Sequence, residues 1–366
     1  MKIQKPLAED RYKDELAALA EADRNSRKPE GWRLSPKAVR DFIIGTEKPV
    51  SGVEITKKFY GDDALVERAV VTLAGNRGLM LVGEPGTAKT MLSELLSAAV
   101  CGCSTNTVQG SAGTTEDNIK YSWNYAMLLA KGPVKEALIP APVYTGMSKG
   151  MITRFEEITR CPLEVQDTLI SIMSDKVMNI PELSGDEGLL FAAGGFNIIG
   201  TANTRDKGVN EMSSALKRRF NFETVEPVKS AALEAKIIRE QCAKLLAESG
   251  IEMHADNEAA DVLACVFNEL RSGVSSLKAS VPKMSCVMST AEAVSVYFQS
   301  ALTAEYYGDG KISMNKLTEN LLGAVMKESK DDLSKLREYY QGAVKLRAEK
   351  FGGIWQEFYD SRSCLR

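Results

Sequence analysis

The chain has 366 residues, with 46 lysines and arginines against 49 aspartates and glutamates, and a formal net charge of −3. This balance excludes the broad positive field of a general nucleic-acid or anionic-membrane binder. The single histidine, His254, excludes a zinc site with two imidazoles and permits a Ser-His-Asp triad only with His254 as its base. We therefore expect chemistry that uses carboxylates, lysine, arginine, backbone amides or a hard metal ion.

The N-terminal segment and the cysteines indicate in which cellular compartment the protein is located. No apolar run approaches the roughly 18 residues of a membrane-spanning helix. The polar segment from Met1 to Pro6 lacks the apolar core of a signal peptide. The seven cysteines include no Cys-x-x-Cys pair, and we interpret them as reduced thiols. These features predict a cytoplasmic protein with no membrane partner.

Residues 1–50 are polar and predict two short helices. Leu16, Leu19 and Ala20 follow helical spacing in the first. Ser35 and Pro36 suit the N-cap and first turn of the second. We interpret this region as a helical extension packed on a larger body.

Residues 51–227 predict strands that alternate with helices. Strand-like segments lie at 78–82, 105–109, 151–155, 196–201 and 220–225, and helical patterns lie at 64–73, 91–100 and 163–173. Such alternation indicates a parallel α/β sheet. Between residues 178 and 196, hydrophobic residues flank a polar, glycine-containing turn, which predicts a β-hairpin before the strand at 196–201.

The second half of the chain predicts helices. Helical periodicity appears at 230–248, 255–272, 287–304 and 329–351, and no clear strand pattern follows Pro227. We therefore expect a domain boundary near residue 227, a helical domain at 228–305 and a C-terminal helical extension at 306–366.

A glycine-rich motif follows the strand at 78–82. The segment GEPGTAKT is a close variant of the phosphate loop G-x-x-x-x-G-K-[ST], with Ala88 in place of the second glycine. Its backbone N–H groups and the helix N-terminus after it suit a phosphate, Lys89 suits the β- and γ-phosphates, and Thr90 suits Mg²⁺. The alternative is a glycine-rich turn that matches by chance. The predicted nucleotide-binding residues here are Gly83, Glu84, Pro85, Gly86, Thr87, Ala88, Lys89, Thr90 and Met91.

Two adjacent acids follow the strand at 151–155. Glu156 is predicted to orient Mg²⁺ through its water shell, and Glu157 to polarise the attacking water. Aspartate is usual at the first position, and Arg154 is unusual in such a strand. Asn203, at the end of an apolar strand, could hold the same water as Glu157. The alternatives are a solvated acid pair at a helix start and a strand-end turn residue.

Two arginines precede the strand at 220–225. Arg218 and Arg219 could form a solvated charge run, which is the usual interpretation. In a ring of subunits, one of them could instead enter the neighbouring subunit's ATP site and offset charge in the transition state. We favour Arg219 over Arg218 for that role.

The ordered motifs GEPGTAKT, FEEI, GTAN and ALKRRF resemble those of the AAA+ ATPases and, within them, the MoxR-like family. The resemblance implies a five-stranded parallel P-loop core with helices on both faces, followed by an all-helical lid domain. It implies ATP and Mg²⁺ as cofactors and places Tyr60 and Gly61 in the segment that packs on adenine. The family's lid arginine is absent, and Lys283 is its nearest substitute, with Arg271 a weaker one.

The same resemblance implies a homo-oligomer, a hexameric ring that uses ATP hydrolysis to remodel or mature a protein client. Its typical partners carry a von Willebrand factor A domain. Two alternatives share the motifs: a nucleic-acid-associated motor, which the charge balance disfavours, and a nucleotide-gated scaffold with weak hydrolysis. Glu156 and the missing lid arginine keep the second alternative open.

Overall fold

The computed structural model describes residues 4–203, 210–251, 256–286, 288–327, 329 and 331–365. His254 lies outside the described residues. The chain divides into two compact units: Met1–Gly83 with Ala88–Val225, and Glu84–Thr87 with Glu226–Arg366. Among the described residues, no helix combines the length and the apolarity needed to cross a bilayer.

Every strand among the described residues belongs to the first unit. In chain order they are β1 (Gly78–Gly83), β2 (Thr107–Gln109), β3 (Tyr121–Trp123), β4 (Leu138–Pro140), β5 (Ile152–Glu156), β6 (Val177–Asn179), β7 (Leu189–Phe191), β8 (Asn197–Asn203) and β9 (Phe220–Val225). Five of them form the main sheet in the order β2-β5-β8-β1-β9, and every pairing in it is parallel. The remaining strands form two antiparallel pairs, β3 with β4 and β6 with β7. The pair β6–β7 is the predicted hairpin.

The helices of the first unit cover both faces of the main sheet. They are α1 (Ala8–Arg11), α2 (Lys13–Ala22), α3 (Pro36–Ile44), α4 (Asp63–Leu73), α5 (Lys89–Cys101), α6 (Tyr125–Lys131), α7 (Pro142–Lys149), α8 (Leu163–Asp167), α9 (Leu169–Asp175) and α10 (Ser214–Lys217). On β1, Leu79 and Leu81 join the buried cluster formed with α3, α4 and α5. Met80 points to the opposite face and joins the cluster formed with α7 and α9. The predicted parallel sheet with helices on both faces is confirmed.

The N-terminal helices are part of the core of this unit. Ser35 caps α3 by accepting the N–H of Ala38 at 3.3 Å, with Pro36 in the first turn. Phe42 of α3 is fully buried in the same cluster as Leu79. The N–H of Arg33 donates to the carbonyl of Val100, near the end of α5, at 2.7 Å. The extension is therefore anchored directly to the helix that follows the phosphate loop.

A buried lysine joins this extension to the segment before α4. The Lys58 ammonium is 2.5 Å from Oε2 of Glu15 and 2.7 Å from the carbonyl oxygen of Phe42. It also lies over the rings of Phe42 and Tyr12, at 4.2 and 4.8 Å from their centroids. The side chain of Lys58 is 1% exposed and that of Glu15 is 13% exposed. Because both charges are largely removed from water, each one offsets the cost of burying the other.

The described part of the second unit is helical. Its helices are α11 (Ala231–Glu248), α12 (Asn257–Ser272), α13 (Thr290–Tyr307), α14 (Met314–Val325), α15 (Asp331–Tyr339), α16 (Lys345–Phe351) and α17 (Gly353–Asp360), with a π-helical turn at Tyr340–Val344. One cluster of buried residues runs from Ala235 to Leu365. The segments 228–305 and 306–365 therefore share a hydrophobic core in this unit.

The structure differs from the sequence prediction in several local elements. The predicted helix at 163–173 is two helices, α8 and α9, and the Thr168 hydroxyl between them donates to the carbonyl oxygen of Val165 at 2.7 Å. Such back-bonding competes with the regular helix. The strands β3 and β4 carried no sequence prediction, and the helices α14 and α17 lie in the predicted helical extension at 306–366 without an individual prediction. Three-residue strands are too short to show a periodic pattern.

We expect Lys58→Met to lower the free energy of unfolding by about 3–5 kcal/mol, because it leaves the Glu15 carboxylate without its buried partner. The matched control is Lys57→Met, since the neighbouring Lys57 pairs with Asp63 at 2.7 Å and their side chains are 36% and 47% exposed. That change should cost less than about 1 kcal/mol. Urea unfolding followed by circular dichroism measures both, and equal losses would contradict the role of Lys58.

Candidate functional site

The phosphate-loop motif connects the end of β1 to the first turn of α5. Gly86 and Ala88 both adopt positive φ, at 75° and 68°. Only glycine takes this conformation at little cost, so Ala88 holds it at the expense of about 1–2 kcal/mol. The Lys89 side chain is buried, and its Nζ donates to the carbonyl of Gly83 at 3.1 Å. Left-handed residues of this kind turn successive backbone N–H groups toward one side, which suits an anion.

Glu156, the last residue of β5, is 3% exposed and surrounded by donors. Its Oε2 accepts from the hydroxyl of Thr90 at 3.0 Å and from that of Thr201 at 2.7 Å. Its Oε1 accepts from the hydroxyl of Ser93 at 2.6 Å and from Nη2 of Arg154 at 2.7 Å. The structure therefore brings together Thr90 and Glu156, the two residues predicted to serve a metal ion.

Arg154 lies two residues before Glu156 in β5, so both side chains leave the same face of the strand. It is 7% exposed, and its Nε donates to the hydroxyl of Ser93 at 3.0 Å. Its Nη1 donates to the carbonyl of Ser104 at 2.7 Å, and its Nη2 to that of Thr90 at 3.3 Å. The ion pair with Glu156 explains why a charged residue occupies this buried strand.

Glu157 directly follows β5 and faces the end of β8. Its backbone has φ 55° and ψ 43°, a conformation that is strained for a residue with a side chain. Both carboxylate oxygens accept from Nδ2 of Asn203, at 2.9 and 3.0 Å. The N–H of Glu157 donates to the hydroxyl of Thr201 at 3.0 Å, and Nε of Arg160 lies 3.5 Å from Oε2. The predicted partners Glu157 and Asn203 thus lie in direct contact.

The oxygen atoms of Thr90 and Glu156 suit Mg²⁺ that is bound together with phosphates. No group of three or more histidine, cysteine, aspartate or glutamate side chains suited to a metal occurs within the described ranges. Mg²⁺, however, is usually held by one or two carboxylates together with substrate phosphates and water. A hydroxyl from Thr90 beside a carboxylate from Glu156 supplies the hard oxygen ligands that this ion prefers.

The predicted arginines have their contacts near the start of β9. Nε of Arg219 donates to the hydroxyl of Ser174 at 2.9 Å, and its Nη1 to the carbonyl of Ala215 at 2.8 Å. Arg218, next to it, is exposed. Both arginines lie between α10 and β9.

Four further predicted residues have the following positions. Tyr60 is half-buried and Gly61 exposed, and both lie in the segment before α4. Lys283 is exposed in the loop between α12 and α13 of the second unit. The weaker lid candidate, Arg271, donates to Oε1 of Glu234 at 2.5 Å and to the carbonyl oxygens of Val228 and Met288. Its guanidinium is therefore committed to contacts within the second unit.

Sequence reasoning missed the contribution of Ser93, Thr201 and the pairing of Arg154. Ser93 lies three residues after Thr90 on the same face of α5, a spacing that predicts shared contacts. Arg154 and Glu156 share a strand face through their spacing of two. Thr201 carried no such signal, because its contact with Glu156 depends on the pairing of β5 with β8.

Comparison with protein families gives two matches that together cover most of the chain. Residues 78–220 match the AAA domain of the dynein-related subfamily, and residues 232–366 match the YehL-like AAA+ ATPase C-terminal domain. Among solved structures, the chain is similar to NtrX from Brucella abortus in complex with ATP, with a TM-score of 0.50 and 12% identity. That alignment covers 83% of this chain and 67% of the NtrX chain, and it shows the fold alone.

Relatives of known sequence extend the match. A protein of Staphylococcus haemolyticus is 28% identical over 162 residues, which are 43% of this chain and 59% of that protein. YehL of Escherichia coli K12 is 47% identical over 363 residues, which are 99% of this chain and 98% of YehL. The chain therefore belongs to the AAA+ ATPases and, within them, to the family of YehL.

Proposed function

We propose that this protein hydrolyses ATP to ADP and phosphate with Mg²⁺. In this proposal the phosphate loop and Lys89 bind the phosphates, while Thr90 and Glu156 would hold Mg²⁺. When bound, Mg²⁺ would offset the negative charge that accumulates on the phosphates. Glu157 takes a proton from the attacking water, and Asn203 orients that water and the carboxylate.

The contact between Glu157 and Asn203 carries this proposal. Both carboxylate oxygens of Glu157 lie within hydrogen-bond distance of one amide nitrogen, at 2.9 and 3.0 Å. The side chain of Glu157 is 23% exposed, so water can reach it. A carboxylate that is oriented by an amide and open to water, next to a phosphate loop, suits activation of water for attack on a phosphate.

The finer proposal is that the ATPase forms a hexameric ring of MoxR type and remodels or matures a protein client in the cytoplasm. The motifs GEPGTAKT, FEEI, GTAN and ALKRRF support it, and a partner with a von Willebrand factor A domain would fit the same resemblance. In such a ring, Arg218 or Arg219 would act at the neighbouring subunit's site.

A nucleotide-gated scaffold with weak hydrolysis is a second candidate. It is favoured by the surroundings of Glu156, whose two oxygens already accept four hydrogen bonds from within the chain. The contacts of Arg271 favour it too, because this guanidinium is held by Glu234 and two carbonyl oxygens. Steady-state phosphate release by the wild-type protein separates the two candidates.

Glu157→Gln should retain ATP binding and reduce turnover by about 10²–10⁴-fold, the usual contribution of a positioned general base. Glutamine keeps the shape and the contact with Asn203 but cannot accept a proton. The measurement is phosphate release together with the Kd for ATP. Glu164→Gln, at an exposed position in α8, is the matched control and should leave turnover unchanged. Turnover at the wild-type rate in Glu157→Gln would contradict the role of Glu157 as the general base.

The two arginines can be separated by mixing variants. If one acts in a neighbouring subunit, its change to alanine should lower turnover by up to about 10³–10⁵-fold. Mixing that variant with Lys89→Ala should restore part of the activity, because some interfaces then combine an intact loop with an intact arginine. The sequence favours Arg219, whereas the exposure of Arg218 makes it the necessary comparison. Failure of both variants to show rescue argues against action in trans.

A further inference from the structure

The ion pair between Arg154 and Glu156 has a role in the site that the motif alone does not assign. We propose that Arg154 is a positioning residue, whose guanidinium holds Oε1 of Glu156 so that Oε2 stays directed at the Thr90 hydroxyl, where Mg²⁺ would bind. This inference rests on the Mg²⁺-nucleotide binding part of the proposed function. It does not depend on whether the protein turns ATP over.

The backbone sets the first condition for this role. β5 is paired on one side with β2 and on the other with β8, so its backbone cannot rotate. Arg154 lies opposite Thr107, and Glu156 lies opposite Gln109. Both side chains therefore leave one face of a fixed strand and reach the first turns of α5.

The two oxygens of Glu156 have separate partners. Oε1 accepts from the Ser93 hydroxyl and from Arg154. Oε2 accepts from the hydroxyls of Thr90 and Thr201. One oxygen is thus held by the interior of the unit, and the other faces the residue predicted to bind the metal. The carboxylate cannot rotate without breaking a bond between opposite charges.

The guanidinium is itself anchored through all three of its nitrogens. Nε contacts Ser93, Nη1 contacts the carbonyl of Ser104, and Nη2 contacts the carbonyl of Thr90 as well as Glu156. Arg154 therefore links the first turn of α5, the segment before β2 and the end of β5. A lysine carries the same charge but lacks the planar fork, so it cannot make these contacts together.

The greater length of the Glu156 side chain explains why its orientation needs a restraint from Arg154. Glutamate has one more methylene, and one more rotatable bond, than the aspartate usual at this position. A longer carboxylate reaches Thr90 from a buried strand only if its orientation is restrained. The guanidinium supplies that restraint, and its charge offsets the cost of burying the carboxylate.

Arg154→Lys tests this role because it changes the geometry and keeps the charge. The readout is the Kd for ADP, measured by calorimetry with Mg²⁺ and again in EDTA. We expect the Kd in EDTA to stay within about twofold of wild type. The gain in affinity on adding Mg²⁺ should fall by about tenfold, the effect of losing one hydrogen bond between charged groups.

Two further variants show whether Arg154 acts through Glu156. We call the gain in ADP affinity on adding Mg²⁺ the Mg²⁺ effect. In a Glu156→Gln background, Arg154→Lys should produce no additional loss of the Mg²⁺ effect. Ser93→Ala removes a second donor to Oε1 and should lower the Mg²⁺ effect in the same direction, by about threefold. Because Ser93→Ala removes a single hydroxyl and keeps the charges of Arg154 and Glu156, this variant tests the inference even if Arg154→Lys fails to fold.

Arg68→Lys is the matched control. Arg68 of α4 makes a forked pair with Glu223 of β9, with Nε–Oε1 and Nη2–Oε2 distances of 2.9 Å, and neither residue is a partner of Arg154 or Glu156. This change should leave both Kd values unaltered.

An equal loss of affinity in EDTA and in Mg²⁺, or the same loss with and without Glu156, would overturn the role of Arg154. So would a wild-type affinity for ADP that does not respond to Mg²⁺. A wild-type protein that shows the Mg²⁺ effect but releases no phosphate would overturn the proposed hydrolysis and leave the inference standing.

Discussion

The parallel pairing of β8 with both β1 and β5 is the constraint on which the site depends. In a parallel sheet, the carboxyl ends of all strands lie at one edge. The register places Gly83 opposite Asn203 and brings the ends of β5 and β8 together. As a result, the end of β1 at Gly83, the two acids and the amide meet at one edge of the sheet without any long side chain having to reach across it.

This edge is supported by buried polar contacts. The Thr201 hydroxyl accepts from the N–H of Glu157 and donates to Glu156, so one side chain fixes two adjacent acids. Arg154 and Ser93 complete the surroundings of Glu156 from the side of α5. Polar groups buried in this way are costly unless each finds its partner, so the cluster rigidifies the site when all its bonds are made.

The sequence singled out residues that the structure brings into contact, Thr90 with Glu156 and Glu157 with Asn203, but it missed several elements of the fold. The five strands of the main sheet were identified, because β1, β5 and β8 are largely apolar segments that end at a motif, and β2 and β9 fit the alternation of strands with helices. The strands β3 and β4 were missed, since three residues do not establish a period of two. The partition of 163–175 into α8 and α9 was missed as well. At the break, the Thr168 hydroxyl bonds to the backbone, a contact that has no periodic pattern in the sequence.

By itself, the sequence determined the order of the phosphate loop, the two acids, the asparagine and the arginines, and the AAA+ family resemblance that follows from that order. Each of these motifs is local, since the spacing of residues along one strand or one turn is enough to specify it. Only the tertiary structure decided which residues share the oxygens of Glu156. Thr90, Ser93 and Thr201 come from α5 and β8, far from β5 in the chain, and the sheet register and the packing of α5 on the sheet bring them together. The pairing of Arg154 belongs to both levels: its spacing from Glu156 is visible in the sequence, but its burial against α5 is not.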